Sequence, residues 1–243
     1  MDKSHLDSGL ILTEARSLLR NTAVGCLATL QNEGGNPYAS LITIATDADG
    51  APLFLISALA WHTRNLQKDA RASLLISEAA ASGDPLDVGR VSLMGVAEQI
   101  DTPAVIARFL ARHPSASRYS RFADFSFWRL QVETAHYIGG FGRIATVAGK
   151  DVLLDSAEAL LWETASDERL SDLNGRYSGL VGRLALARRP DLQGAWRIAA
   201  CDPLGCDLVL GAASLRLAFL APLANPEGVA DALSALEPNQ AIN

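Results

Sequence analysis

The sequence predicts a mainly β protein with helices, in which a small closed barrel of antiparallel strands precedes a small α+β domain. Three observations support this prediction. Six or more segments before residue 140 have the two-residue hydrophobic periodicity of strands, and glycine-bearing turns separate several of them. From about residue 151 the pattern changes to helical periods followed by three short strands. We therefore expect two domains, residues 1–150 and residues 151–243.

The composition is that of a folded protein without a nucleic-acid or membrane partner. Apolar residues make up 49% and charged residues 20% of the 243 residues, and the formal net charge is −6. Such an acidic chain has no overall field to hold nucleic acid or an anionic membrane. Neither a membrane-length apolar segment nor a signal-peptide pattern is found, so we expect a cytoplasmic protein. A basic run is interpreted as a solvated helix face: Arg108, Arg112, Arg118 and Arg121.

The three cysteines indicate neither a disulfide framework nor a zinc site. Cys26 is isolated, and the spacing of Cys201 and Cys206 fits a hairpin turn better than a metal knuckle. We expect reduced thiols and no metal centre.

The first 57 residues predict one helix and three strands. Asp7 and Ser8 are the predicted helix cap. One helix face is apolar and carries Leu10, Ile11, Ala15, Leu18 and Leu19. The turns QNEGGNP and DADG then connect an antiparallel meander, with strands at residues 23–30, 38–46 and 52–57.

The next segments complete the predicted barrel. A short helix at 61–68 is followed by strands at 71–77 and 90–97, and Thr102 caps a helix that ends before Pro114. The longest alternation predicts one apolar strand face: Trp128, Leu130, Val132, Thr134, His136 and Ile138. On that face His136 is interpreted first as a packing or interface residue.

The C-terminal pattern predicts the α+β domain. Helical periods cover residues 155–165 and 167–188. Three strands and a final helix after Pro226 follow, with the strands at 195–201, 206–211 and 214–219.

The strongest candidate site is the stretch SALAWHTRN, where a strand ends and a helix begins. Ser57, His62, Thr63, Arg64 and Asn65 offer hydroxyl, amide and cationic donors beside a helix N-terminus, which suits a phosphate. The alternative is that Ser57 or Thr63 only caps the helix.

Two further positions are candidates for the same ligand. Arg90 opens a strand and would add donors to the anion if the strands are neighbours. The small residues around Ser40 would let a flat ring approach the backbone, although tight packing explains them equally well.

Several segments together resemble one known superfamily. They are GCLATL, PYASLITIATDADGAPLFLIS, ALAWHTRNLQKDARASLLI, GDPLDVGRVSLMGVAE and HYIGGFGRI. Over residues 20–145 these segments resemble the pyridoxamine 5'-phosphate oxidase-like, FMN-binding split-barrel superfamily, and within it the haem-utilisation subgroup with a small C-terminal domain. The resemblance implies a six-stranded antiparallel split β-barrel and a homodimer with sites at the subunit interface.

The resemblance also implies a cofactor. Its flavin-binding members hold the FMN phosphate at positions that here are Ser57, His62, Thr63, Arg64 and Asn65, with Arg90 and Ser40 in support. The main hypothesis is therefore an FMN-binding, oxidoreductase-like flavoprotein of unknown substrate, in which no catalytic acid or base is assigned.

Two alternatives remain open. The subgroup includes haem-binding and haem-degrading proteins, whose second domain often carries Asn-x-Asp-His. The matching stretch here reads Asn174-Gly175-Arg176-Tyr177, so the expected haem ligand would be His136 or Tyr177. The other alternative is a dimeric sensor or carrier without a cofactor.

Overall fold

The computed structural model describes residues 3–78, 84, 86–140, 143–164 and 166–237. Parts of two predicted loops, at 81–89 and 139–142, lie outside these residues. The chain forms two compact units. The first contains the chain up to Phe109 and Ala116–Asp155, and the second contains Leu110–Ser115 and the chain from Ser156 onward. The domain boundary expected at residue 150 stays a prediction.

The chain up to Asp155 contains four helices and eight strands among its described residues. The helices are α1 (Lys3–Asn21), α2 (Trp61–Lys68), α3 (Pro103–Arg112) and α4 (Gly149–Val152). The strands are β1 (Val24–Leu30), β2 (Pro37–Thr43), β3 (Ala45–Thr46), β4 (Pro52–Ser57), β5 (Arg71–Ser77), β6 (Gly89–Ile100), β7 (Phe125–Gly139) and β8 (Ile144–Ala148).

These strands form one antiparallel sheet in the order β2-β1-β5-β6-β7-β4-β3, and β8 also pairs with β7. The long strand β7 makes this possible, because its residues 125–129 pair with β4 and its residues 134–138 pair with β8. The prediction of a mainly β, antiparallel fold with helices is confirmed. The two predicted hairpins are present, since β1 pairs with β2 and β3 pairs with β4, and β4 also pairs with β7.

All six predicted strands are present, and two short strands add to them. The segment predicted as one strand at 38–46 divides into β2 and β3 around Ile44. The prediction did not include β8, whose five residues alternate between exposed and half-buried and carry no strong hydrophobic signal.

Helix α1 covers the core side of the sheet with four buried residues, Ile11, Ala15, Leu18 and Leu19. Leu10, predicted on the same face, is 51% exposed. The predicted cap is also wrong, because the helix begins at Lys3 and includes Asp7 and Ser8. The spacing of apolar residues thus predicted the buried face of α1 more accurately than the capping pattern predicted where the helix begins.

A β-bulge in β6 and β7 exchanges the two faces of β7. Met94 pairs with Thr134 but Gly95 pairs with Val132, so Glu133 is the extra residue. Before the bulge Trp128 and Leu130 are buried; after it Ala135 and Tyr137 are buried instead. The predicted single apolar face is therefore wrong beyond the bulge, and His136 lies on the opposite side of the sheet from the core.

The backbone crowds closely around the bulge. A Cβ added at Gly95 would lie 1.8 Å from the carbonyl oxygen of Gln131, and one added at Gly149 would lie 1.9 Å from that of Val132. Both neighbours are backbone atoms, which cannot turn away as a side chain does. Glycine is the residue that lets these chain segments approach β7.

The second unit contains α5 (Ser156–Thr164), α6 (Ser166–Arg188), β9 (Arg197–Asp202), β10 (Gly205–Leu210), β11 (Ala213–Ala218) and α7 (Val229–Ser234). Its strands form an antiparallel sheet in the order β11-β10-β9. On α6, Asn174 binds β9 by accepting from the Ile198 amide at 2.7 Å and donating to the Ile198 carbonyl at 2.9 Å.

Buried charges also stabilise this unit. Arg216 donates to Asp202 at 2.6 Å, and both side chains are almost fully buried. Arg112, predicted on a solvated helix face, is also buried and lies 3.4 Å from the Asp207 carboxylate. That part of the basic run is therefore a structural ion pair. No helix among the described residues is long and apolar enough to cross a membrane.

Candidate functional site

The side of the sheet that faces away from the core presents a broad, largely apolar surface, which we call the open face. Pairing defines its rows, since residues directly opposite each other on neighbouring strands project to the same side. Its central row is Leu41, Cys26, Leu75, Ser92, His136 and Thr146. Five large apolar residues project from it with high exposure: Leu41 (77%), Ile144 (60%), Val24 (42%), Leu75 (42%) and Met94 (37%).

His136 is the histidine of this face, and one of its ring nitrogens has a defined partner. Its Nδ1 lies 2.8 Å from the Thr146 hydroxyl oxygen on β8. When Nδ1 carries the proton and donates to Thr146, the lone pair of Nε2 is free for a metal. A hydrogen bond on the second nitrogen is the usual way in which proteins orient a metal-binding imidazole.

Arg90 provides a basic side chain on the open face near His136. It pairs with Ile138, two residues from His136 on β7, and is half-buried. Its guanidinium donates to the carbonyls of Leu86 at 2.8 Å and Val88 at 3.4 Å. The open face therefore combines an oriented imidazole, a cation and apolar side chains.

Ser40, His62 and Asn65 of the predicted phosphate cluster lie on the other side of the sheet. Ser40 and Thr29 pair with Leu27 and Tyr38 on the core side, and α2 rests against this corner. The His62 Nδ1 lies 3.0 Å from the Ser40 hydroxyl, and Asn65 donates to the Thr29 hydroxyl at 2.9 Å. Burial lowers the pKa of His62, so its neutral form is favoured.

Ser57 and Arg64 of the cluster are also bonded within the chain. Ser57 donates to the Asp124 carboxylate at 2.6 Å and accepts from the Leu59 amide at 3.1 Å. Arg64 turns back to donate to the Leu59 carbonyl at 2.6 Å. A phosphate beside Ser57 would meet the negative charge of Asp124, which disfavours an anion at this point.

The simpler interpretation of the cluster, a capped helix, is wrong. Helix α2 begins after Ala60, which has no side chain that could cap it. The Thr63 hydroxyl is fully buried and has no hydrogen-bond partner among the described residues. Neither Ser57 nor Thr63 therefore serves as the predicted N-cap.

A polar cluster near the end of β7 anchors that strand from the core side. Tyr137 donates to one Glu14 oxygen at 2.7 Å, and Arg143 donates to the other at 2.6 Å. These three residues line a cavity of about 460 Å³. Burial, together with the Glu14 carboxylate, raises the pKa of Tyr137 to about 12, and the hydrogen bonds from Tyr137 and Arg143 outweigh burial and lower the pKa of Glu14. Because Tyr137 is fixed toward the core, its neighbour His136 faces outward.

Comparison with known proteins identifies the family of this sheet. The family model described as the CREG β-barrel matches residues 12–153, which include every strand of the first unit. The chain belongs to the CREG β-barrel family. This result agrees with the resemblance to the pyridoxamine phosphate oxidase-like split barrels and their haem-utilisation subgroup.

Three individual proteins that are similar to this chain extend the comparison. The chain is 38% identical over 133 residues to the chloroplastic heme oxygenase HOZ of Arabidopsis thaliana, a match that covers 52% of this chain but only 40% of HOZ. The structure of Atu2129 from Agrobacterium tumefaciens, a protein of unknown function, is 30% identical with a TM-score of 0.75, covering 92% of this chain and 94% of that one. A heme binding protein from Mycobacterium smegmatis is 32% identical with a TM-score of 0.56, covering 93% and 95%.

Within this family fold, the predicted site residues fall into separate places. Ser57 pairs with Phe125 and Arg90 pairs with Ile138, so they lie near opposite ends of the 15-residue strand β7. Arg90 thus does not join the 57–65 cluster in one chain. Tyr177, the other predicted haem ligand, is half-buried on α6 of the second unit.

No pattern in the sequence indicated Thr146 or Asp124 as site residues. Thr146 lies on the unpredicted strand β8, and Asp124 precedes β7 in a loop. Each of them matters because of the side chain that the fold places next to it, His136 for Thr146 and Ser57 for Asp124.

Proposed function

We propose that this CREG β-barrel protein binds haem on the open face, with His136 Nε2 as the iron ligand. The observation that carries the proposal is the position of His136, half-exposed on an apolar face with its Nδ1 held by Thr146. Bound haem would supply redox-active iron, while the chain's own residues orient and bury it. Support also comes from the relatives whose names include haem, the Mycobacterium smegmatis protein and HOZ.

The open face fits the two chemically different parts of a haem. The porphyrin plane is apolar, and exposed apolar side chains are present at Leu75, in the row of His136, and at Met94, next to that row. The propionates are anionic, and Arg90 provides a guanidinium on the same face. This assigns Arg90 to haem rather than to the phosphate cluster.

We also propose that the protein is a homodimer in which two open faces meet. Contiguous exposed apolar surface commonly marks a protein interface, and Leu41 and Ile144 are among the most exposed large apolar residues described. A two-fold interface would bury both copies of this surface and shield haem from water.

FMN, the main cofactor prediction, has less support. All donors of the 57–65 cluster except the buried Thr63 hydroxyl bond to groups of the chain itself, and Ser57 bonds to a carboxylate. A flavin phosphate would have to displace these contacts and overcome the charge of Asp124. As a phosphate site, the cluster stays a prediction.

Titration with hemin, followed at the Soret band, tests the haem proposal. We expect saturable binding by the natural protein and at least about tenfold weaker binding by His136→Ala, a loss of about 1.4 kcal/mol. Tyr177→Phe and His62→Gln serve as controls and should bind as the natural protein does. Loss of the Soret shift in Tyr177→Phe alone would assign the iron to Tyr177 and overturn the His136 assignment.

A parallel titration with FMN separates the two cofactors. Saturable FMN binding that Arg64→Ala weakens and His136→Ala leaves unchanged, with no response to hemin, would overturn the haem proposal in favour of flavin. No response to either cofactor by an intact dimer would instead favour the sensor or carrier hypothesis.

A second candidate function is haem degradation, favoured by the 38% identity to HOZ. The haem-loaded protein would be supplied with a reductant and oxygen, with catalase present to remove free peroxide. Loss of the Soret band with release of iron would support degradation. A stable spectrum under the same conditions would leave haem binding alone.

A further inference from the structure

The β9–β10 hairpin brings two cysteines of the second unit face to face. Pro203 and Leu204 form its two-residue turn, and Cys201 pairs directly with Cys206 next to the turn-flanking residues. Their sulfur atoms lie 3.1 Å apart. The hairpin predicted from the sequence is confirmed, and it makes the two thiols neighbours.

The backbone geometry of this pair suits a covalent bridge. Directly opposed residues of an antiparallel ladder have Cα atoms about 4.5–5.5 Å apart, and disulfides span Cα separations of about 4.4–6.8 Å. Closing the remaining sulfur separation to about 2.05 Å therefore requires a small side-chain movement rather than a change of strand register.

Buried ion pairs hold the two strands in this register. Arg216 on β11 donates to Asp202, the neighbour of Cys201, at 2.6 Å. The same guanidinium lies 3.5 Å from Asp207, the neighbour of Cys206. Since the buried Arg216 contacts an acid on each of the two strands, sliding one strand past the other would break at least one of these ion pairs.

The two thiols differ in access to solvent. Cys206 lies on the central strand of the sheet and is fully buried, whereas Cys201 is half-buried. Burial and the hydrogen bond with Cys201 raise the pKa of Cys206 well above its usual value. Cys201 is thus the thiol that a small oxidant meets first.

We propose that Cys201 and Cys206 are a site of reversible oxidation, converted to a cross-strand disulfide by a low-molecular-weight disulfide such as oxidised glutathione. The Cys201 thiolate attacks one sulfur of glutathione disulfide, forming a mixed disulfide and releasing one glutathione thiolate. The Cys206 sulfur then attacks the Cys201 sulfur, loses its proton to solvent and releases the second glutathione. Two cysteine thiols are oxidised and one glutathione disulfide is reduced. This proposal does not depend on haem binding.

The test equilibrates the full-length native protein in buffers of increasing oxidised-to-reduced glutathione ratio, followed by acid quenching, thiol alkylation and peptide mass mapping. We expect one internal disulfide joining Cys201 to Cys206, reversed by excess reduced glutathione. Cys26→Ser is the matched control and should form the same bridge.

The single variants distinguish the order of attack. Cys206→Ser should accumulate glutathione on Cys201, whereas Cys201→Ser should leave Cys206 unmodified because that thiol is buried. If the natural protein keeps both thiols in the most oxidising buffer, or carries only a glutathione adduct on Cys201, the proposed bridge is wrong. The result for the natural protein decides the question even if a variant does not fold.

Discussion

The two sides of the barrel sheet contain the two groups of candidate residues, and the bonding of these groups differs. On the core side, His62 and Asn65 each bond to another side chain of the protein. On the open face, the hydrogen bond between His136 and Thr146 uses Nδ1 and leaves Nε2 for a ligand. Donors that are close together in sequence are therefore not necessarily available for binding a ligand.

The bulge at Glu133 is the cause of this difference. Without the extra residue, period-two alternation would bury His136 with Trp128 and Leu130. With it, Tyr137 turns toward Glu14 in the core and His136 turns outward. A substitution that removes the bulge should therefore remove the distinction between the faces.

Gly95→Ala is expected to have the largest effect. Its new Cβ would meet the Gln131 carbonyl oxygen at 1.8 Å, so the strands must separate or lose the bulge. We expect a loss of about 3 kcal/mol or more in the free energy of unfolding, measured by urea denaturation.

Gly175→Ala is the matched control. A Cβ there meets nothing within 4 Å on helix α6, and alanine favours a helix, so stability should stay the same or increase by up to about 1 kcal/mol. Equal stability of the two variants would show that the bulge does not depend on Gly95.

This bulge also marks the limit of prediction from sequence. The spacing of apolar residues identified the six main strands and the helices described in the second unit. It could do so because the buried side of each element is visible from the apolar residues of that element alone. The orientation of His136 depends on one additional residue paired across two strands, and a strict period of two assigns it to the wrong face. Gly95, a glycine inside a strand pattern, is the local signal in the sequence that fits a bulge.

The candidate site was predicted only in part for the same reason. His136 and Arg90 were identified individually, but the pairing of β6 with β7 is what places them on one face. Thr146 was missed because β8 is short and half-exposed. The sequence was sufficient to single out individual residues that could bind a ligand. Which of them lie together on one face could be known only from the register of the sheet.

Leu41→Asp tests whether the open face is the dimer interface. Leu41 is 77% exposed, so the substitution should hardly affect the folding of one chain, but a charge would be costly in an apolar interface. We expect dimerisation to weaken by about 2 kcal/mol or more, measured by sedimentation equilibrium.

Leu220→Asp is the control, since Leu220 is 78% exposed on the second unit. A natural protein that is monomeric, or a dimer that Leu41→Asp leaves unchanged, would contradict the proposed interface.

Thr146→Val should have a smaller effect, on haem binding. It removes the hydroxyl that binds His136 Nδ1 while keeping a similar shape, and loss of such a partner weakens metal binding by about tenfold or more. Thr146→Ser should restore binding, and Thr43→Val, an exposed change on the same face, should leave it unchanged. Nitrogen NMR of the imidazole supplies a second measurement, since a purely structural role would not alter the tautomer. Unchanged affinity and tautomer in Thr146→Val would remove Thr146 from the site.

Glu14→Gln should have the smallest effect, through the anchor that turns Tyr137 inward. The folded-state pKa of Glu14 is lower than its ordinary value of 4.5, so the folded protein binds fewer protons there than the unfolded chain. This contribution to stability is therefore present above pH 4.5 and lost as the pH falls further. Because Glu14 and Arg143 are partly exposed, we expect the variant to lose only about 1 kcal/mol at pH 7. Urea denaturation at several pH values should show this difference shrinking in acid, whereas Glu33→Gln, in an exposed turn, should show none. A difference that stays constant down to pH 3 would mean that the carboxylate charge is not what anchors Tyr137.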